Sequence, residues 1–204
     1  MTRKIYRVFK QGSIQERIDN LGSEFTIPEK EQKWLSKYPH EALLHPSEKN
    51  ILWHVAKTTT GDIANLGHAK GGSAIIMGAA LKFVNKPYTV HSVDILSKGR
   101  FNSRIEHLAT LGLDNVVLYR EFTNEIGEKW TEEGRQFGFT FIDAGHDYEN
   151  VKRDWSIFNL MSKTVAFHDT NQPYTDDVIN ECILTEPRWN LIHHVMSIKV
   201  FERV

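Results

Sequence analysis

From about residue 61 onward, short apolar, often β-branched runs alternate with longer amphipathic ones. The short runs cover residues 62–66, 88–95, 116–119, 139–143 and 164–168, and they end in Gly, Asp or a polar cluster. Strands buried on both faces of a parallel sheet read this way. The intervening stretches 72–84, 97–111, 124–136 and 148–161 suit helices. The last places Val151, Trp155, Phe158 and Met161 at helical spacing, with Lys152, Arg153 and Asp154 expected to face water. Strands alternating with helices of this length predict right-handed βαβ crossovers and an α/β, Rossmann-like, doubly wound sheet, mostly parallel. A helix at 176–184 and two extended runs at 191–195 and 197–204 predict an antiparallel pair closing the sheet edge.

Residues 1–60 follow a different pattern. After an opening strand-like run at 5–9, residues 27–31 read as a helix start with Pro28 in its first turn, and 47–56 as a second helix. The expected organisation is therefore a helical N-terminal extension, 1–60, on a core of 61–204. A lid, a substrate wall and a dimer contact are all open roles for the extension.

Composition narrows the function classes. The 204 residues carry 40% hydrophobic and 25% charged side chains, as one globular domain does. A formal net charge of −1 gives no electrostatic case for nucleic acid or anionic membrane as a partner. No apolar run approaches the roughly 18–20 residues of a membrane helix. The opening Met1–Arg7 is basic without an apolar run behind it, so a secretion signal is not expected and a cytoplasmic location is. One cysteine, Cys182, excludes an internal disulfide and a multi-cysteine zinc site. Ten histidines are the unusual feature.

Two regions carry candidate chemistry. The first is the turn after the first strand, Asn65-Leu66-Gly67-His68-Ala69-Lys70-Gly71-Gly72-Ser73. An open α/β sheet binds ligands at the carboxyl ends of its strands. Here Gly67 suits the turn, Gly71 and Gly72 suit close approach of a ligand to the backbone, and Ser73 with the helix N-terminus offers donors. It is not a Walker loop, since Lys70 precedes the glycines. Asp94 ends the second strand, where a carboxylate accepts the hydroxyls of a ribose in this architecture. The second region comprises Asp143-Ala144-Gly145-His146-Asp147 and His168-Asp169-Thr170, at the ends of the fourth and fifth strands. Neighbouring parallel strands lie about 4.8 Å apart, so Asp143 and Asp169 converge on one site if these strands pair. Carboxylates that close call for a cation or a shared proton, and oxygen ligands with one imidazole suit Mg²⁺ or Mn²⁺. Asp147, just before a helix, reads as a cap. His40, His45, His54, His107, His193 and His194 lie outside the cluster.

These stretches resemble the class I S-adenosylmethionine-dependent methyltransferases, in particular a small-molecule O-methyltransferase branch with macrocin-type sugar methyltransferases and cephalosporin-hydroxylase-like proteins. The resemblance covers about residues 50–204 and is most specific at Phe141-Ile142-Asp143-Ala144-Gly145-His146-Asp147-Tyr148 and Ala166-Phe167-His168-Asp169-Thr170. It implies S-adenosylmethionine as methyl donor, with Asn65, Gly67, His68, Gly71, Gly72, Ser73, Asp94 and Asp143 around it. Gly67 and Gly71 would line its methionine part and Asp94 would hold its ribose. It implies a divalent ion on Asp143, His168 and Asp169, sometimes with Thr170. His146 becomes the candidate general base and Asp143 its catalytic companion, histidine being the side chain that titrates near neutrality. The acceptor implied is a hydroxyl of a sugar or other small molecule, with a homo-oligomer as one assembly. Two positions depart from the branch: Asn65 stands where an acid is usual, and Gly145 stands where its Asp-Gly-Asp-His pattern has the second acid. Two other readings follow. One is a binding or assembly protein that kept the fold without catalysis. The other is a nicotinamide-dependent oxidoreductase, whose Gly-x-Gly-x-x-Gly fingerprint the glycine turn does not meet.

Overall fold

The structure is a computed structural model and describes residues 24–204. The strand-like run expected at 5–9 lies outside the described residues. Helices α1 (Glu29–Leu35) and α2 (Pro46–Thr58) come first. The alternating core follows: β1 (Ile63–Leu66), α3 (Gly72–Phe83), β2 (Val90–Val93), α4 (Lys98–Thr110), β3 (Val116–Tyr119), α5 (Thr123–Glu132), β4 (Phe137–Ile142), α6 (Tyr148–Met161) and β5 (Ser162–Phe167). Helix α7 (Pro173–Val178) runs into a π-helical turn at Ile179–Ile183, and β6 (Trp189–Val195) and β7 (Ile198–Arg203) complete the sheet.

The seven strands lie in the order β3-β2-β1-β4-β5-β7-β6, parallel through β5, with β7 antiparallel to both β5 and β6. This is the expected Rossmann-like α/β sheet with its antiparallel edge. The chain winds outward from β1 through β2 to β3, then returns to lay β4 on the other side of β1. Strand order thus reverses between β1 and β4, which opens a crevice above their carboxyl ends. The Asn65↔Phe141 and Leu66↔Ile142 register brings Gly67 level with Asp143 across that crevice.

Some boundaries differ from the sequence reading. Strand β4 starts two residues early because Gly138 lets the chain pass close to Gly61; a Cβ there would sit 2.3 Å from Thr59 Oγ1. The final helix starts at Pro173 instead of 176, with proline at its first position, where the missing N–H costs nothing.

Apolar cores cover both faces of the sheet. On one, Leu35, Ile51, Leu52 and Trp53 of the N-terminal helices pack with Ile75 and Met77 of α3 over Ile63, Phe139 and Phe141. On the other, Trp130, Trp155 and Phe158 cover Leu66, Ile142 and Phe167. The described part of the extension therefore shares its core with the sheet. Among the described residues no helix is long and apolar enough to cross a membrane.

Candidate active site

Gly67 has φ +95°, and a Cβ on it would lie 2.3 Å from the Asp143 carbonyl oxygen. Only glycine permits both the left-handed turn and this approach of β1 to the end of β4. Gly71, with φ +92°, caps α3 directly above the His68 ring. Gly72 lines the first cavity described below, and a Cβ there would meet that of Ala42 at 2.4 Å, so the N-terminal segment packs directly against it. Asp94 braces the turn: its Oδ2 accepts from the backbone N–H groups of His68 at 2.9 Å and Ala69 at 2.8 Å.

Beneath the turn lies a buried polar chain. Asn65 Nδ2 donates to the Gly67 carbonyl at 2.9 Å and to Ser92 Oγ at 2.7 Å. Ser92 Oγ also lies 2.8 Å from His68 Nδ1, which carries the chain on to the ring. Burial takes His68 down to about 4, so the ring is neutral. Asn65 is wholly buried and lines neither cavity described below.

Strands β4 and β5 are neighbours, and Asp143, His168 and Asp169 converge at their ends. His168 Nδ1 lies 3.0 Å from Asp143 Oδ1 and 3.3 Å from Asp169 Oδ1. Its Nε2 lies 3.6 Å from Glu48 Oε2. Burial alone would lower the pKa of His168, but Asp143, Glu48 and Asp169 outweigh it and push the imidazole up to about 10. Glu48 escaped the sequence reading. Its spacing from His45 forms a capping box at the start of α2, a signal for a helix end and not for a site. Besides capping, Glu48 Oε1 accepts from the backbone N–H and the hydroxyl of Ser197. Burial opposes its ionisation, yet the bonds from His168, Ser197 and His45 hold it at about 2.

His146 is exposed at the rim, with Nδ1 3.3 Å from the Tyr174 hydroxyl and 3.5 Å from Asp169 Oδ2. Tyr174 donates to Asp169 Oδ2 at 3.2 Å. Asp147 caps α6 as expected, accepting from Asn150 N at 2.9 Å. Gly145 is dictated by packing: a Cβ there would sit 2.4 Å from that of Asn150. Asp154, expected to face water, is 2% exposed, and Thr123 Oγ1 donates to its Oδ1 at 2.6 Å. Burial pushes its carboxyl up to about 6. The expectation failed because α5 folds over this side of α6, a contact that helical spacing does not encode. Of the other histidines, His45 caps α2, His54 and His193 pack edge to face, and His91 lies among Tyr119, Trp130 and Phe137.

Two cavities meet over the glycine turn, sharing Gly67, Ala69, Asp143 and His146. The first, about 260 Å³, lies between residues 41–44 and the Asp143–His168–Asp169 cluster. The second, about 250 Å³, runs from Asp94 and Ile95 past residues 121–123 to Asn150 and Asp154. The Asp94 carboxylate and the backbone of the turn lie along this pair of spaces. Two carboxylates and an imidazole whose ligand atoms lie within 4.8 Å of one another also suit a small divalent ion. The His168 proton and such an ion are alternatives for the same carboxylate oxygens.

A family model described as a methyltransferase domain matches residues 64–181. Among curated protein sequences none matches. Among solved structures, an O-methyltransferase from Bacillus cereus in complex with SAH superposes with TM-score 0.63 at 16% identity, covering 94% of this chain and 97% of that one. A TDP-rhamnose 3'-O-methyltransferase of calicheamicin biosynthesis gives 0.64 at 14%, covering 97% and 96%. An rRNA methylase from Streptococcus thermophilus gives 0.55 at 10%, covering 80% and 99%. With the family model spanning more than half of the chain, over a sheet whose crevice presents a glycine turn and paired strand-end acids, the protein belongs to the methyltransferase-domain family and has the class I S-adenosylmethionine-dependent methyltransferase fold.

Proposed function

We propose that the protein transfers a methyl group from S-adenosylmethionine to a hydroxyl of a sugar or other small metabolite, as a member of the macrocin-like O-methyltransferase branch. A divalent ion, Mg²⁺ or Mn²⁺, on Asp143, His168 and Asp169 assists. The observation that carries this reading is the pair of cavities joined over Gly67, one ending on Asp94 and the other on the acidic and histidine cluster. The sugar-nucleotide methyltransferase among the structural neighbours supports a small acceptor.

The donor supplies an electrophilic methyl on positively charged sulfur, and an ion at the cluster supplies Lewis acidity toward the acceptor hydroxyl. The chain supplies position and a proton route. Asp94 and the turn hold the nucleoside side, and Asp143, on the walls of both cavities, fixes the boundary between donor and acceptor. His146 Nδ1 faces Tyr174 and Asp169, which leaves Nε2 to take the hydroxyl proton. The extension acts as a substrate wall, since residues 41–44 close the acceptor side. Isothermal calorimetry with SAH, with and without Mg²⁺, followed by turnover on a panel of nucleotide sugars, tests the proposal. Tight SAH binding and metal-stimulated methylation are expected. No binding of donor or product overturns it in favour of the non-catalytic reading, and binding with metal-indifferent turnover removes the ion alone.

A further inference from the structure

Glu48 lines neither cavity, yet it reaches the cluster from behind. It sits in the first turn of α2 and is 4% exposed. Three bonds fix its carboxylate: Oε1 accepts from the Ser197 backbone N–H at 2.9 Å and from the Ser197 hydroxyl at 2.5 Å, and Oε2 accepts from the His45 backbone N–H at 2.8 Å. Helix α2 and the β6–β7 turn thus hold it at one place and angle. From there Oε2 faces His168 Nε2 at 3.6 Å, too long for a hydrogen bond but close for opposite charges on two largely buried side chains. The other edge of the same ring, Nδ1, faces Asp143 Oδ1 at 3.0 Å and Asp169 Oδ1 at 3.3 Å. The two nitrogens lie on different edges of a rigid plane, so a carboxylate held against Nε2 sets the direction in which Nδ1 points. Among the described residues Asp143, His168 and Asp169 form the group of converging ligand atoms, and Glu48 stands outside it.

We propose that Glu48 is a positioning residue: by holding the Nε2 edge of His168 it keeps Nδ1 turned to Asp143 and Asp169 and raises the affinity of these three groups for a divalent ion. The inference rests on the ion reading above and adds to it a contribution from the N-terminal extension, separate from the wall formed by residues 41–44. A carboxylate behind a ligating histidine fixes the tautomer and orientation of the ring, and its loss costs roughly 10–100-fold in metal affinity.

The test is calorimetry on the full chain with Mn²⁺ and, separately, with SAH. Glu48→Gln keeps the size of the side chain and removes its charge, and it is expected to weaken Mn²⁺ binding about tenfold or more while SAH affinity stays within about threefold of wild type. Glu48→Asp, which keeps the charge but draws it back by one methylene, is expected to fall between the two. Ser197→Ala removes one bond to the same carboxylate and leaves its charge against His168, so a lower thermal midpoint is expected with Mn²⁺ affinity within about threefold of wild type. If Glu48→Gln does not fold, the ring nitrogen NMR shifts of His168 in the wild type serve instead: Mg²⁺ is expected to move Nδ1 and to leave the proton on Nε2. Mn²⁺ affinity unmoved in Glu48→Gln, an equal loss in Ser197→Ala, or an ion that moves Nε2 overturns the inference and leaves the ion reading standing. A wild type that binds SAH but no Mn²⁺ overturns the ion reading and the inference with it.

Discussion

Single residues carry the candidate chemistry, and several are held by neighbours that lie far away in sequence. Asp143 bonds His168 and lines both cavities, so Asp143→Asn is expected to abolish methyl transfer while leaving SAH affinity within a few-fold; equal loss of both in calorimetry and turnover would show that it holds the donor instead. Asn65 spends its amide on the Gly67 carbonyl and Ser92. Restoring the family's acid with Asn65→Asp would face a carboxylate oxygen to that carbonyl, and a fall in thermal midpoint of several degrees is expected, an effect of about 1–3 kcal/mol. Asp154 has a definite pH signature. Its folded pKa of about 6 lies above the ordinary 3.8, so the folded state holds the proton more tightly and stability declines as pH rises between those values. Asp154→Asn is therefore expected to gain stability relative to wild type by on the order of 3 kcal/mol between pH 4 and pH 8, read from urea unfolding at the two pH values.

At the scale of elements, the buried start of α2 couples the N-terminal helices to the β6–β7 turn and to the cluster. Glu48, held at about 2 against an ordinary 4.5, contributes stability that is complete above about pH 4.5 and is lost as pH falls toward 2. Glu48→Gln is expected to flatten that acid limb and to lower stability at pH 7 by a few kcal/mol, since Ser197 and His168 lose a charged partner. The start of α6 gives a second case. Gly145→Asp restores the acid usual in the resembling branch but drives a Cβ into Asn150, so a loss of about 1–3 kcal/mol is expected in denaturant unfolding, without any gain in metal affinity.

Across the whole molecule, the order β3-β2-β1-β4-β5-β7-β6 gathers the ends of β1, β2, β4 and β5 on one edge, and the glycine turn, Asp94, Asp143, His168 and Asp169 follow from that placement. Much of this was legible in the chain itself. Short apolar runs alternating with amphipathic ones specify strands and helices through local periodicity, and the glycine turn, Asp94, Asp143, His146, His168 and Asp169 stand out because they interrupt apolar strands at their ends. The pairing of β4 with β5, on which the cluster depends, was a condition in the sequence and a fact only in the fold. What the tertiary structure alone decided was which faces are covered. It turned Asp154 from a water-facing residue into the end of a cavity, brought Glu48 from a helix cap to His168, sealed Asn65 beneath the turn, and gave the spaces at Gly72 and Gly145 to Ala42 and Asn150. Periodicity registers a residue's own helix or strand, whereas burial is set by elements distant in sequence that pack against it. The candidate chemistry was therefore written locally, and its partners were assigned by packing.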